Sequence, residues 1–589
     1  MLTLVNEVFF LMIKRIKRVG ILILFVLFIY IMRLAQIDLW MTTSFGKVNE
    51  NLLKESVEQR GKAIKIDEGR GHFLYTDGMS MVYEKKDVVI LFPFLKNTQV
   101  DWKQLATILN VSTNSIIHQL NQANEPFILK NNEVEVMINQ KQKNEINDLQ
   151  IEGLYGIEIH SRIQNRLADH LIGLTGENNE ILQKRYPSFH YPNDTLIGLN
   201  GLERSFDYFL INASKSKLVY YTDKLQRPMF GTSVKYVAPA NPMYPLQVVT
   251  TIEQQIQMDI EQILANSSIT KGGAILLDIQ TNDIVATVSI PSINHANPFD
   301  KELGNVKNQM FSEQIIGSVF KPVVTAAALE ILGLNLNETF DCNKNIYGLT
   351  DPNYQYGTLD VKDSFAKSCN NTFGSLAKKL HPTHLEEYAH KLGLIGAISW
   401  NGEVFHFRNF KQIYEEKGRI FLSSSPKYDF NFLAQTGIGQ QEVRATPLGI
   451  ANMLATIARG GEKKSVRVVK EIQYNNGATF LKFSTQIKNE PKVSPFTAMK
   501  LQVLLKEVVL NGTAKDLKDA PVTIAGKTGT AQLGSSTSNI PLYNRWVAGY
   551  FPYENPKYAL VVVSLETPNE YEKVNLIFKQ IVNELAQKK

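Results

Sequence analysis

The chain has 589 residues, 44% hydrophobic and 20% charged, with a formal net charge of +6 at pH 7. That is too long for one hydrophobic core and leaves room for two or three folding units. The mild basicity comes without clustered Lys/Arg runs interleaved with aromatic stacking platforms, which excludes nucleic acid as a partner and suits an anionic membrane or wall surface. The two cysteines, Cys342 and Cys369, form no disulfide framework, and Cys369 reads as a small apolar filler, so the expectation is that they stay unbridged.

At the N-terminus, Lys14, Arg15, Lys17 and Arg18 precede the apolar run from Val19 to Met32, which then meets Arg33. A run this short also suits the hydrophobic region of a cleaved signal. Arg33, Leu34, Ile37 and Leu39 offer no small-x-small cleavage site, however, and Arg33 can snorkel, extending the span to Leu39 and Trp40 with an aromatic at the far interface. The four basic residues hold the N-terminus in the cytoplasm. Residues 1–40 are therefore expected to be a cytoplasmic stub and an uncleaved transmembrane anchor, with the remainder extracellular; Met12-Ile13-Lys14-Arg15 makes a more typical start than Met1.

Residues 41–245 read as an elongated mixed module. Asp101 to Ala123 is expected to be one helix, with Leu105, Ile108, Leu109, Ile116, Ile117 and Leu120 on its apolar side; Val134 to Ile138 reads as a strand, and Lys141 to Asn147 as solvated surface. Residues 246–589 make up a third segment, in which Val248 to Ile256 look like the strand and helix start, and Gly272 to Asp278 with Asp283 to Ala286 like the first hairpin, of the domain whose resemblance is set out below.

The Ser-x-x-Lys pattern starts at Ser44, Ser214, Ser268, Ser318, Ser364, Ser375 and Ser424, so by itself it carries little. Only Ser318 follows a glycine and opens Phe320-Lys321-Pro322 and a long small-apolar run. That run predicts a buried helix starting at the motif, with Pro322 tolerated in its first turn and Ser318 and Lys321 on one face. Ser-x-Asn starts at Ser112, Ser292, Ser368 and Ser399, and Lys-Thr-Gly occurs once, at Lys527, after an apolar approach (Val522 to Ala525) that reads as a strand. His381, His384 and His390 with Glu386 and Glu387 could suggest a metal, but Thr383-His384-Leu385-Glu386 reads as a capping box and no metal is expected. Trp546 to Tyr550 and Tyr558 to Leu565 read as paired strands turning at Glu554-Asn555-Pro556, and Val574 to Gln587 as a closing helix.

Taken together, Ser318-x-x-Lys321, Ser368-Cys369-Asn370 and Lys527-Thr528-Gly529 resemble the motif set of penicillin-binding proteins of the class B, monofunctional, high-molecular-mass kind. The resemblance covers most of residues 60 to 570. It extends to Gly69-Arg70-Gly71 with Asp77-Gly78, Gly198 to Glu203, Gly437-Ile438-Gly439-Gln440 and Ala445-Thr446-Pro447-Leu448. Two departures are Ile316, where the family commonly has proline, and Tyr75-Thr76, where it favours Asp-Arg.

The resemblance implies an α+β fold: a serine-acyltransferase domain of the penicillin-binding/beta-lactamase-like type, with a central antiparallel sheet flanked by helices, preceded by the pedestal module and the transmembrane helix. It implies Ser318 as nucleophile and Lys321 as its base, neutralised by desolvation and by Lys527. Ser368 would relay a proton to the leaving amine, and Asn370 would orient Lys321 and hold a substrate amide. Lys527, Thr528 and Thr530 would bind the substrate carboxylate, Gly529 would leave the cleft clear, and the N–H groups of Ser318 and Thr530 would form an oxyanion hole. The implied substrate is a D-Ala-D-Ala stem peptide, the acceptor an amine of a neighbouring stem peptide, and beta-lactams would acylate the same serine. No cofactor is implied. With no glycosyltransferase signature, a separate glycan polymerase and other cell-wall-machinery proteins are the expected partners. Carboxypeptidases, beta-lactam-hydrolysing or beta-lactam-sensing relatives share the three motifs, and a catalytically idle scaffold is a further alternative. Soluble hydrolases lack the pedestal, sensors need a cytoplasmic signalling part, and a scaffold leaves an intact motif set unexplained.

Overall fold

The computed structural model describes residues 2–588 apart from 43–50, 52–55, 58, 190, 213–214, 224–227, 230–232, 240, 301–304, 353–354, 536–539 and 569–573. The chain divides into two compact units, one built from 1–68, 85–161 and 214–239, the other from 69–84, 162–213 and 240–589.

In the first unit a long helix, Leu2–Ala35, continues into a short π-helical turn, Gln36–Trp40. The stretch Phe9–Leu39 is long and apolar enough to cross a membrane, and none of its most apolar window is buried inside the protein. An apolar stretch of this length suits a membrane span. Beyond it, Gly61–Asp67, Ser216–Tyr221 and Lys235–Val237 form an antiparallel sheet. The span predicted as one helix from Asp101 to Ala123 is two, Trp102–Leu109 and Thr113–Gln122. The break falls at Asn110, whose left-handed backbone (φ 53°) ends the first helix, a conformation asparagine tolerates better than most residues. The strand read from Val134 to Ile138 is confined to Val134–Glu135. The polar stretch around Lys141 to Asn147 is a helix, Gln140–Asp148, started by a reciprocal Asn139–Gln142 cap and carrying one buried apolar residue, Ile146. One anchor in nine residues gives no readable period.

The second unit is organised on a five-stranded, wholly antiparallel sheet. Its strand order is Ile284–Ile290, Gly272–Asp278, Tyr558–Thr567, Pro541–Phe551 and Ala525–Ser535. Tyr558–Thr567 is buried along almost its whole length, which is why it reads as a continuous apolar run rather than an alternation. Helices Gln254–Ala265 and Val574–Gln587 pack on each other and on the sheet, and Pro447–Ala458 packs on its central strands. The last strand lies at the sheet edge, against the turn Gly317–Phe320 and the helix Pro495–Asn511. The third motif is therefore part of this strand, which begins only at Ala525.

Two short segments that the sequence reading placed in the pedestal meet here. Arg70 is buried and donates to the Glu203 carboxylate at 3.0 and 2.8 Å, with Asp207 at 2.8 Å. Arg162 pairs with Glu203, and Arg185 and the Tyr186 hydroxyl reach Asp207. Breaking such a network from one side leaves a buried charge unpaired, which costs about 3–5 kcal/mol.

Candidate active site

Gly317–Phe320 is a 3-10 turn that leads into the helix Lys321–Ile331, with Pro322 in the first turn. Ser318 and Lys321 thus sit on consecutive elements rather than on one regular helix. Val323, Val324 and Ala326 to Ala328 are fully buried, so the helix is held from all sides. Gly317 has φ 56°, and a Cβ there would lie 2.3 Å from the carbonyl oxygen of Thr530. Only glycine lets the turn approach the edge strand this closely. Gly529 answers it from the other side: a Cβ on it would meet Val319 Cγ2 at 2.7 Å and Ile316 O at 2.9 Å. Packing of strand against turn requires this glycine, where the sequence reading had it leave the cleft unobstructed.

Ser368 takes a left-handed backbone (φ 59°), which costs a non-glycine residue about 1–2 kcal/mol. The arrangement this allows centres on its hydroxyl. Lys321 Nζ lies 3.0 Å from Ser368 Oγ, 2.7 Å from the Ser368 carbonyl oxygen and 2.9 Å from Asn370 Oδ1. From the other side Lys527 Nζ lies 2.9 Å from the same hydroxyl and 3.1 Å from the Thr528 carbonyl oxygen. Both lysines are buried, at 0% and 1% exposure, with Phe373 5.1 Å from Lys321 Nζ and Phe365 5.9 Å from Lys527 Nζ. Two cations cannot share one hydroxyl in a dry site without penalty. Burial, and then the Lys527 charge, push Lys321 well below the ordinary lysine range; burial brings Lys527 down to about 7.

A cleft of about 370 Å³ exposes Ser318, Ser368, Asn370, Thr528, Gly529 and Thr530 together with Tyr356, Lys367, Ile438, Gln440, Thr513, Gln532 and Tyr543. All eight residues singled out from the sequence therefore converge: six line the cleft, and Lys321 and Lys527 lie beneath it. No hydrogen bond of the Ser318 hydroxyl is present among the described residues. Sequence reasoning missed the rim. Tyr356 and Lys367 pair through a cation–π contact at 5.3 Å, Thr513 Oγ1 lies 2.5 Å from Thr528 Oγ1, and Arg545 donates to Thr530 Oγ1. The periodicity of strand Pro541–Phe551 was the one available signal for Arg545, and it says nothing about the residue across the strand pair.

The expectation that the cysteines stay apart is overturned: Cys342 and Cys369 are joined by a disulfide. The short hairpin Thr339–Asp341 with Thr358–Asp360 carries Cys342 to the start of helix Asn370–Lys379, a meeting that composition cannot foretell. The bridge ties down the residue between Ser368 and Asn370. Closing a loop of 27 residues is worth roughly 3–4 kcal/mol through the unfolded chain. The double variant Cys342→Ala/Cys369→Ala is expected to unfold at correspondingly lower denaturant and to be acylated more slowly; unfolding curves and rates that coincide with those of the oxidised parent would contradict this role. The capping box read at Thr383 is also corrected. Helix Pro382–Lys391 is capped by the His381 side chain, because Pro382 takes the first helical position. Among the described residues no cluster of three or more His, Cys, Asp or Glu could hold a metal ion.

Known proteins carry the same architecture. The family pattern of the penicillin binding protein transpeptidase domain matches residues 272–583, and that of the penicillin-binding protein dimerisation domain matches 65–240. Peptidoglycan D,D-transpeptidase FtsI of Buchnera aphidicola subsp. Baizongia pistaciae is 25% identical over 525 residues, covering 84% of this chain and 81% of its own. In fold, the chain is similar to a structure described as "Structural coordination of polymerization and crosslinking by a peptidoglycan synthase complex", at TM-score 0.67 and 21% identity, covering 96% and 97% of the two chains. It is also similar to penicillin binding protein 2X of Streptococcus thermophilus, at TM-score 0.65 and 17% identity, covering 89% and 80%.

Proposed function

The chain belongs to the penicillin-binding protein transpeptidase family, in its class B, high-molecular-mass form, and on that premise we propose that it is a peptidoglycan D,D-transpeptidase working through an acyl–serine intermediate on Ser318. The observation that supports this most directly is the Ser368 hydroxyl held between two buried lysines beside the cleft that exposes Ser318.

The roles follow from donor and acceptor counts. A neutral Lys321 has two N–H groups and one lone pair. Its two N–H groups suit the carbonyl oxygens of Ser368 and Asn370, and its lone pair suits the Ser368 O–H, whose oxygen accepts from the Lys527 ammonium. With a peptide in the cleft, the lone pair turns to take the Ser318 proton as Oγ bonds to the carbonyl carbon of the penultimate D-Ala. The C–N bond to the terminal D-Ala then breaks, and the proton passes through Ser368 to the departing amine. An amine of a second stem peptide attacks the ester, forms the new amide and returns the proton to Ser318. The backbone N–H groups of Ser318 and Thr530 are the candidate oxyanion donors, and Thr528 and Thr530 the candidate carboxylate contacts.

A donor peptide ending in D-Ala-D-Ala, offered with and without an amine acceptor, tests this. The expected product is the cross-linked amide by mass spectrometry. Release of D-Ala by water alone in the presence of acceptor would replace the reading with a carboxypeptidase, and inertness toward both peptide and penicillin would favour a scaffold.

The apolar helix Phe9–Leu39 supports anchoring in a membrane, with the cytoplasmic end marked by Lys14, Arg15, Lys17 and Arg18. The disulfide supports an oxidising, external location for the cleft. An N-terminal tag is expected to persist on the mature membrane protein while added protease degrades the bulk from outside; a mature chain starting after Trp40 would contradict the anchor. The likeness to a chain of a peptidoglycan synthase complex supports a glycan polymerase as partner.

A further inference from the structure

We propose that Arg545 supplies the positive charge that recognises the free carboxylate at the end of the donor peptide, acting through the Thr530 hydroxyl; the inference rests on the reading of the cleft given above. The sequence reading gave this task to Lys527 together with Thr528 and Thr530. Lys527 is 1% exposed and directs its ammonium to Ser368 Oγ and the Thr528 carbonyl oxygen, beneath the strand. Thr528 and Thr530 line the cleft instead.

Arg545 stands directly across from Thr530 on the neighbouring antiparallel strand. Residues directly opposite in such a pair share a face of the sheet. Its Nη1 donates to Thr530 Oγ1, and its guanidinium carbon lies 5.4 Å from the ring centroid of Tyr543, another cleft residue. The same side chain borders the adjoining hollow of about 600 Å³ with Thr528 and Thr530.

The chemistry of that contact is directional. A hydroxyl whose oxygen accepts from a guanidinium must point its own O–H elsewhere, and Thr530 is exposed toward the cleft. A charge-assisted bond also polarises that O–H, making it a stronger donor to a carboxylate. A guanidinium stays charged at every working pH, whereas Lys527, near 7, does not. Lys367, which lines the cleft itself, is held over the Tyr356 ring.

The experiment compares acylation of the full-length, detergent-solubilised protein by benzylpenicillin and by its methyl ester, which lacks the charge. For wild type the acid is expected to react faster than the ester. Arg545→Gln is expected to lose roughly 10- to 100-fold toward the acid, the range for hydrogen bonds to charged groups, and several-fold less toward the ester. Arg545→Lys, which keeps the charge without the planar fork, is expected to recover part of the preference for the acid, and it decides the question should Arg545→Gln fail to fold. Equal losses toward both ligands would assign Arg545 a purely structural role and overturn the inference, as would unchanged acid kinetics. A wild type that takes acid and ester alike overturns this inference and leaves the acyl–serine reading standing; a wild type labelled by neither ligand overturns both.

Discussion

Ser318→Ala is expected to abolish covalent labelling by a fluorescent penicillin, a loss of roughly 10⁶-fold, the scale on which removal of a serine nucleophile acts. Among the other Ser-x-x-Lys serines, Ser44 and Ser214 lie outside the described residues, and Ser364, Ser375 and Ser424 have no comparable setting. Ser364 is fully buried and bonded to Thr372, and Ser375 lies within the helix Asn370–Lys379 with its hydroxyl 3.4 Å from Asn371 Oδ1. Ser424 is exposed and is not among the residues that line the cleft. Of the described Ser-x-x-Lys serines, only Ser318 lines the cleft above the buried lysine pair. Peptide mapping after penicillin treatment is expected to find the adduct on Ser318; an adduct on Ser375 or Ser424, or persistent labelling of Ser318→Ala, would move the nucleophile elsewhere.

Lys321→Arg and Lys527→Arg are expected to differ sharply. A base must shed its proton near neutral pH, which a desolvated lysine does and a guanidinium does not. Lys321→Arg should lose at least about 10²-fold in acylation, a typical share for general-base catalysis, while Lys527→Arg keeps a cation beside Ser368 and should retain more. Equal residual rates in the two variants would take the base role away from Lys321.

The lowered proton affinity of Lys527 also predicts a pH effect on stability. Between about 7 and the ordinary 10.5 the unfolded lysine holds a proton that the folded one has released, so raising pH favours folding. The contribution is fully present above 10.5 and is lost as pH falls toward 7. Lys527→Met should therefore flatten chemical-denaturation stability across pH 7–10; an unchanged slope would mean that Lys527 stays charged in the folded protein.

Much of this site was legible in one dimension because it is built from local signals. The small-apolar run after Ser318 demanded a buried helix, the glycine before it marked a turn, and Lys527-Thr528-Gly529 sits on a strand whose neighbour, Trp546 to Tyr550, was readable together with that neighbour's own partner, Tyr558 to Leu565. The closing helix came out as Val574–Gln587 because its apolar face repeats cleanly. The first unit was read less well: Asn110 ends one helix without any glycine or proline to announce it, and Gln140–Asp148 carries too few apolar residues to show a period.

What the sequence by itself determined was which side chains could do the chemistry, since nucleophile, amines and hydroxyls are properties of residue type and the runs around them set local structure. What only the tertiary structure decided were relations across the chain. These are the joining of Cys342 to Cys369, the burial of Lys527 under its own strand while its threonine neighbours face the cleft, the meeting of Gly317 with the Thr530 backbone, and the pairing of Arg545 with Thr530. Each depends on strand register or on loops closing over tens of residues, and those are set by how the whole core packs rather than by the residues that meet.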